Sequence, residues 1–173
     1  MTMADIADSL VIARSTIYDY YSSREEILIE VLQEQFKSVV ALVREATAVG
    51  EPVEKLRRFV LTYYESIASS GLETLLARSQ SAVHRAPERL NALRQEFLQL
   101  LVRIIADGTS QGFFRPVSAV QAALAFQGMI ANTTYATVLA GKPVKPEALA
   151  DALVDIFAHG VEKRDVSAMH DSS

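Results

Sequence analysis

Apolar residues recur at intervals of three and four positions along most of this chain, and no stretch alternates apolar with polar residues over a useful length. A period near 3.6 residues places such a stripe on one side of an α-helix. The clearest stripe follows Pro87 and comprises Leu90, Leu93, Phe97, Leu100, Leu101, Ile104 and Ile105. The sequence therefore predicts an all-α fold, and 173 residues are enough to bury a substantial core.

Helix-start and helix-stop residues divide this pattern into segments. Ser22 and Ser23 are each followed three residues later by a glutamate, Glu25 or Glu26, and so offer two overlapping capping boxes. The predicted helices run from Thr2 to near Leu10, over about 14–20, from Ser23 to before Gly50, from Pro52 to Gly71, over 72–83, from Pro87 to a break at Gly108 and Gly112, after Ser118, and from Pro146. We expect a head with its connector helix over 1–46, a helical bundle over 47–163 and a flexible tail over 164–173.

The overall charge does not indicate a nucleic-acid partner. The chain has 17 Lys and Arg against 21 Asp and Glu, a formal charge of −4, so any contact with DNA must come from a local arrangement of residues. The absence of cysteine excludes disulfides, thiolate zinc sites and a cysteine nucleophile. The first residues do not form a basic segment followed by an apolar one, as a secretory signal would, and we expect a cytoplasmic protein.

One long segment, from Pro116 to Gly141, contains no charged residue. It is rich in alanine and carries several Gln, Asn and Thr side chains, which makes it too polar for a membrane span of about 20 lipid-facing residues. We expect no membrane association, and a helix that protein covers on most sides.

Two very short helices joined by Val11-Ile12-Ala13 and followed by a long helix are uncommon in a simple bundle, because short helices are marginal unless they pack tightly together. The arrangement is typical of a helix-turn-helix, in which the second helix enters the major groove of DNA. The exposed side of that second helix would carry hydrogen-bonding side chains suited to phosphates and base edges, namely Arg14, Ser15, Thr16, Asp19 and Tyr20.

The runs from Thr2 to Ala7, from Ile12 to Tyr21 and from Ser23 to Leu28 closely resemble the DNA-binding signature of TetR-family transcriptional regulators. The later helices resemble the ligand-binding and dimerisation half of that family, and the segment from Gly108 to Arg115 resembles the turn before its last two helices. The resemblance implies a homodimer that binds a pseudo-palindromic operator and a small-molecule effector.

The same resemblance implies roles for individual residues of the head. Thr2 would bind a backbone phosphate at a helix N-terminus, and Arg24 would hold another at the start of the connector helix. Arg14, Ser15 and Thr16 would open the recognition helix and reach bases or phosphates. Tyr18 and Tyr20 occupy positions that contact the DNA backbone or a thymine methyl group.

The sequence departs from the family pattern at three places. The family has a further helix before the position of Thr2, and we expect a head that lacks it. Val11 stands at the usual glycine of the turn, where a left-handed backbone would cost a β-branched residue about 1–2 kcal/mol. Ala13 replaces the usual serine N-cap, at a cost of about 1 kcal/mol.

The C-terminal half contains apolar, aromatic and polar side chains of the kinds that line small-molecule cavities between helices. The candidates for an effector pocket are Tyr63, Tyr64, His84, Phe97, Phe126, Met129 and Asn132, with Tyr135 beside them. For each residue taken alone, ordinary core packing is the alternative. The uncharged segment and the final helix favour a symmetric dimer interface, because interface cores are depleted of charge. Its candidate residues are Ala123, Gly128, Ala131, Leu153, Phe157 and Gly160.

The sequence does not favour an enzyme, a metal site or a cofactor. The three histidines, at 84, 159 and 170, lack metal-ligand spacing, and the pair Asp155 and His159 is typical of a surface contact. No serine lies in a nucleophile elbow. We expect a ligand-responsive DNA-binding regulator, and specifically a repressor. A ligand-binding or dimerising protein that does not bind DNA remains the alternative, and a helical carrier of hydrophobic molecules is a more distant one.

Overall fold

The structure is a computed structural model and describes residues 3–10, 13–70, 88–140 and 145–161. These residues form α1 (Met3–Leu10), α2 (Arg14–Tyr20), α3 (Arg24–Ala46), α4 (Pro52–Ser70), α5 (Glu88–Ser110), α6 (Ala119–Ala140) and α7 (Pro146–Val161). Since the described part of the chain contains no strand, the predicted all-α class is confirmed. The helix predicted over 72–83, the tail over 164–173, and Thr2, Val11 and His84 lie outside the described residues.

The helix starts agree with the residues that predicted them. α4 and α7 begin at Pro52 and Pro146, where the missing proline N–H leaves no helical hydrogen bond unmade. Ser23 caps α3, because its hydroxyl accepts a hydrogen bond from the N–H of Glu26 at 3.2 Å. α2 begins after Ala13, which is extended and makes no side-chain capping bond, as its methyl side chain requires.

Helices α3 to α7 pack around one core, with α4 at its centre in contact with α3, α5 and α7. Phe59 of α4 lies against Phe97 of α5 with ring centroids 4.5 Å apart, and Phe126 of α6 lies against Phe157 of α7 at 4.5 Å. Full burial of each such side chain contributes about 1.5–3 kcal/mol. The long connector α3 belongs to this core through its C-terminal half, where Val39, Val40 and Val43 are buried.

The turn between α5 and α6 follows its prediction at Gly112 and differs from it at Gly108. Gly108 does not break α5, which continues to Ser110 and ends at Gly112, where φ is +80°. Gly108 lies under the ring of the buried Phe114, and a Cβ at this position would collide with that ring. The glycine at 108 is therefore explained by this close approach, and the glycine at 112 by the left-handed backbone.

Over residues 119–134, where the side chains are described, α6 is covered on one side only by its own chain. Ala123, Phe126 and Ile130 are buried against the core, whereas Val120 and Leu124 are 51% and 50% exposed. For residues 119–134 the prediction that protein covers this helix on most sides is therefore not met within a single chain. Among the described helices none is long and apolar enough to cross a bilayer.

Candidate DNA-binding head and effector site

The head is built on a small core of its own. Met3 and Ala7 of α1 pack against Ile17 of α2, and Tyr21 and Ile27 cover the edge of this cluster. Because helices of seven and eight residues are marginal in isolation, this contact is what keeps α2 in place. The outward side of α2 is consequently the side opposite Ile17.

Two of the predicted DNA-contacting side chains, Ser15 and Tyr18, lie on this outward side or next to it. Ser15 and Tyr18 share one face by their spacing of three residues, and Tyr18 is 59% exposed. Tyr20, 77% exposed, lies at the end of α2, and Arg24 is exposed at the first turn of α3. Thr16 is half-buried. The side chain of Arg14 and all of Thr2 lie outside the described residues, so their roles stay predictions.

Two exposed tyrosines on a seven-residue helix are informative because large aromatic rings usually bury their area. A tyrosine ring can pack on a sugar or a thymine methyl group while its hydroxyl bonds a phosphate. With the guanidinium of Arg24 on the next helix, Tyr18 and Tyr20 give the head a set of donors suited to a duplex.

The linker from α2 to α3 is held by Glu26. Both the N–H and the hydroxyl of Ser22 donate to Oε2 of Glu26, at 2.7 and 2.8 Å. These bonds lower the pKa of the Glu26 carboxyl below its ordinary value. The capping box predicted from Ser22 to Glu25 does not form, because Ser22 bonds to Glu26 instead.

The body contains a buried group of hydroxyls between α4 and α6. The hydroxyl of Tyr64 donates to the carbonyl of Ile130 at 2.9 Å, and the hydroxyl of Thr134 lies 3.2 Å from that of Tyr64 and 2.8 Å from the same carbonyl. Tyr63 lies beside Tyr64, with ring centroids 5.3 Å apart. We call Tyr63, Tyr64 and Thr134 the hydroxyl cluster.

Burial governs the acid chemistry of the hydroxyl cluster. It raises the pKa of Tyr63 to about 12, while hydrogen bonding to Thr134 acts in the opposite direction. Burial also raises the pKa of Tyr64. Both phenols, neutral near pH 7 like any tyrosine, therefore stay neutral further into the alkaline range and act as hydrogen-bonding groups in an apolar setting.

The predicted pocket residues divide into three groups. Tyr63, Tyr64, Phe97 and Phe126 lie in one core cluster, and Met129 packs against it half-buried. Asn132 is exposed on the other side of α6 from Thr134 and does not join the hydroxyl cluster. His84 and the side chain of Tyr135 lie outside the described residues. Sequence reasoning did not select Thr134 as a pocket residue; the available signal was a threonine four residues after Ile130, where its hydroxyl can reach that carbonyl.

An aromatic path joins the hydroxyl cluster to the connector helix. The ring of Tyr63 lies 5.3 Å from that of Phe97, and Phe97 in turn lies 5.8 Å from Phe36 of α3. The side chains that surround the hydroxyl cluster therefore contact the helix that carries the head.

A concavity of about 650 Å³ lies between α4 and α7, away from the hydroxyl cluster. It is an open groove lined by charged and polar side chains, including the ion pair of Arg57 with Asp151 at 2.6 Å, and Nδ1 of His159 lies 3.2 Å from the Asp155 carboxylate. Its charged walls suit an apolar ligand less well than the interior of the bundle does. Among the residues placed by the structure, no group of three or more His, Asp or Glu could hold a metal ion.

Comparisons with known proteins agree with this arrangement of head and body. Residues 1–31 match the family described as bacterial regulatory proteins, tetR family, and residues 49–161 match the tetracyclin repressor-like C-terminal domain. The chain belongs to the TetR family. It is a ligand-responsive DNA-binding transcriptional regulator.

Individual relatives of this TetR-family chain cover nearly all of it. The transcriptional repressor KstR2 of Mycobacterium tuberculosis is 23% identical over 172 residues, which is 95% of this chain and 84% of KstR2. The regulator PfmR of Thermus thermophilus has a TM-score of 0.74 at 26% identity, covering 94% of this chain and 90% of PfmR. FadR of Bacillus subtilis, solved in complex with stearoyl-CoA, has a TM-score of 0.77 at 20% identity, covering 94% and 89%.

The candidate dimer residues of this TetR-family chain fall into two sets. Ala123, Leu153 and Phe157 are buried in the core of the single chain and so do not present a surface to a partner. Gly128, Ala131 and Gly160 are exposed. On α6, Val120 and Leu124 precede Gly128 and Ala131 at helical spacing along one exposed strip, and on α7 the exposed Ile156 lies one turn before Gly160. We call these six exposed residues the outer α6–α7 set.

Proposed function

We propose that this TetR-family protein is a repressor that binds a pseudo-palindromic operator as a homodimer and is released by a small amphipathic effector. The observation that carries the proposal is the pair of exposed rings, Tyr18 and Tyr20, on a helix held in place by the head core. Two such heads would sit in successive major grooves, about 34–36 Å apart. In this arrangement residues 1–46 form the DNA-binding head and residues 47–163 the effector-binding and dimerising body.

Each DNA contact in the proposal has a distinct task. Tyr18, Tyr20 and Arg24 bind the backbone, which gives affinity in any sequence and makes it salt-dependent. Arg14, Ser15 and Thr16 stand at the start of the recognition helix, where side chains reach base edges and select the sequence.

The effector is proposed to bind within the body beside the hydroxyl cluster. Tyr63, Tyr64 and Thr134 supply hydroxyls, and Phe97 and Phe126 supply apolar walls. A ligand with an apolar chain and a carbonyl or hydroxyl group fits this combination. FadR, which shares the fold, is solved with stearoyl-CoA, and this supports an acyl-chain effector.

The aromatic path gives the effector a route to the DNA. A ligand that displaces Tyr63 or Phe97 pushes on Phe36, and thereby on α3, which carries the head. A small rotation of α3 changes the separation of the two heads and their fit to successive grooves. Because coupling is reciprocal, operator DNA weakens effector binding by the same factor, typically worth about 1–3 kcal/mol.

DNA binding is tested by fluorescence anisotropy on duplexes that the wild-type protein enriches from a random-sequence library. Tyr18→Ala and Arg24→Ala are expected to weaken binding to every enriched duplex, and Arg24→Ala to reduce the salt slope by about 1. Arg14→Ala is expected to change which sequences are enriched. Arg103→Ala, which removes an equal charge from the exposed side of α5, serves as the control.

If the wild-type protein enriches no duplex but forms a dimer and binds acyl ligands, it is a ligand-binding protein that does not bind DNA. A monomer that ignores DNA and binds hydrophobic molecules would identify a carrier instead.

Effector binding is tested with stearoyl-CoA added to the complex of protein and enriched duplex. Release of the duplex in the wild type, and a weaker response in Thr134→Val, are expected if the ligand binds beside the hydroxyl cluster. Asn132→Ala, on the exposed side of the same helix, is the matched control. An equal response in Thr134→Val and wild type would place the effector elsewhere.

A further inference from the structure

The short linker between the recognition helix and the connector helix is tied to one carboxylate. Oε2 of Glu26 accepts hydrogen bonds from the N–H of Ser22 at 2.7 Å and from its hydroxyl at 2.8 Å. The N–H of Glu26 donates in turn to the hydroxyl of Ser23 at 3.2 Å. Only Ser22 and Ser23 lie between Tyr21 and the first residue of α3. These bonds therefore fix the orientation of α2 relative to α3.

A second carboxylate on the same side of α3 holds the preceding linker residue. Glu30 lies one turn beyond Glu26, and its hydrogen bond with the Tyr21 hydroxyl raises the pKa of Tyr21. The ring of Tyr21 packs half-buried against the head core formed by Met3, Ala7 and Ile17. Consecutive linker residues are thus held by consecutive turns of the connector helix.

The charge of Glu26 makes this arrangement unusual beside a DNA-binding surface. Glu26 is exposed and lies two residues from Arg24, the proposed phosphate contact. A carboxylate at this distance repels phosphates and, by charge alone, weakens DNA binding. A favourable role in DNA binding must therefore come from what the Glu26 carboxylate holds in place, because its charge acts in the opposite direction.

We propose that Glu26 is a positioning residue for operator binding. It touches no DNA, and it acts by holding Ser22 so that Tyr18, Tyr20 and Arg24 meet the duplex together. The proposal rests on the proposed DNA-binding function, and it assigns to Glu26 a task beyond capping α3.

Charge and positioning predict opposite effects for Glu26→Ala. Removal of a negative charge next to the phosphates would tighten binding if charge alone mattered. Loss of both bonds to Ser22 frees the linker, and we expect binding to the enriched duplexes to weaken about tenfold. Glu26→Gln keeps an amide oxygen that can accept both bonds, so it is expected to bind within about twofold of wild type.

Glu25→Ala is the matched control. Glu25 is exposed on the same turn and carries the same charge, and within the described residues it has no side-chain hydrogen bond or ion pair. We expect Glu25→Ala to bind DNA as tightly as wild type or more tightly. Equal behaviour of Glu25→Ala and Glu26→Ala would overturn the positioning role.

A measurement without DNA separates this inference from the proposed function. Hydrogen exchange at the Ser22 amide, followed by NMR in the dimeric or monomeric protein as isolated, is expected to be about tenfold faster in Glu26→Ala and restored in Glu26→Gln. Unchanged exchange in Glu26→Ala would overturn the positioning role even if DNA binding is confirmed. Faster exchange with rescue by Gln supports the tie to Ser22 even if no duplex is enriched.

Discussion

At the scale of single residues, burial makes the Tyr63 hydroxyl a weaker acid than the hydroxyl of a free tyrosine. Its ring lies between Tyr64 and Phe97, and its pKa is raised from 10.0 to about 12 because charging the phenol in this setting is unfavourable. The folded chain holds this proton more tightly than the unfolded chain. The stability that depends on a neutral Tyr63 hydroxyl is therefore complete below pH 10 and is lost as the pH rises through about 12.

Tyr63→Phe removes this alkaline loss of stability. Near neutral pH the variant is expected to be about 1 kcal/mol less stable, because it lacks the hydroxyl. Between pH 10 and 12 the wild type is expected to lose up to about 3 kcal/mol relative to the variant. Urea unfolding of both proteins across this pH range measures the difference, and parallel stability curves would contradict the buried phenol.

Gly108 tests a different residue-scale effect, the close approach of a ring to a helix backbone. Gly108→Ala places a methyl group against the ring of Phe114 and is expected to destabilise the chain by about 1–3 kcal/mol. Asp107→Ala, on the exposed side of the same turn of α5, is the control. There the better helix propensity of alanine is expected to raise the free energy of unfolding by up to about 1 kcal/mol. Equal effects in thermal unfolding would argue against the contact with Phe114.

At the scale of helices, the hydroxyl cluster joins α4 to α6. The hydroxyl of Tyr64 bonds to the Ile130 carbonyl and lies within hydrogen-bond distance of Thr134, so changes at the two side chains are coupled. In a double-mutant cycle of Tyr64→Phe and Thr134→Val, we expect a coupling energy of about 1 kcal/mol from urea unfolding. Thr109→Val removes a hydroxyl that bonds within α5, and its effect should add to that of Tyr64→Phe without coupling.

Helix positions could be predicted from the sequence because their signals are local. Pro52, Pro146 and Ser23 act on the first turn of their own helices, and all three predicted starts are confirmed. The predicted break at Gly108 was wrong because one glycine costs a helix only about 1 kcal/mol and does not by itself end it. The reason for a glycine at 108, the nearby ring of Phe114, is a contact that the local sequence does not show.

The sequence predicts which apolar side chains of each helix are buried, but it does not show what those side chains do. The spacing of Tyr63, Tyr64, Phe97 and Phe126 placed them inward, and they share one core cluster, while their part in effector binding stays a prediction. Small and apolar residues on α6 and α7 suggested an interface. Only the packed structure separates those that serve the protomer's own core, such as Ala123 and Phe157, from those that face outward.

At the scale of the whole molecule, the proposed operator binding needs two heads, and therefore a stable dimer. A stable interface buries about 1,200–2,000 Å² in total and has a core poor in charge. The outer α6–α7 set provides apolar and small side chains for such a core, including Leu124, which is 50% exposed within one chain. We infer that a second copy of the chain covers this surface.

Leu124→Asp tests the dimer and its link to DNA together. A carboxylate placed in an apolar interface is expected to weaken dimerisation by several kcal/mol, so that sedimentation shows a monomer. Affinity for a duplex carrying both half-sites should fall at least about a hundredfold, because each head then binds without the effective concentration that its partner supplies. Leu42→Asp on α3 is the matched control, since Leu42 is 49% exposed and lies outside the outer α6–α7 set. It should remain dimeric and bind the duplex, and a dimer that persists in Leu124→Asp would place the interface on another face of the molecule.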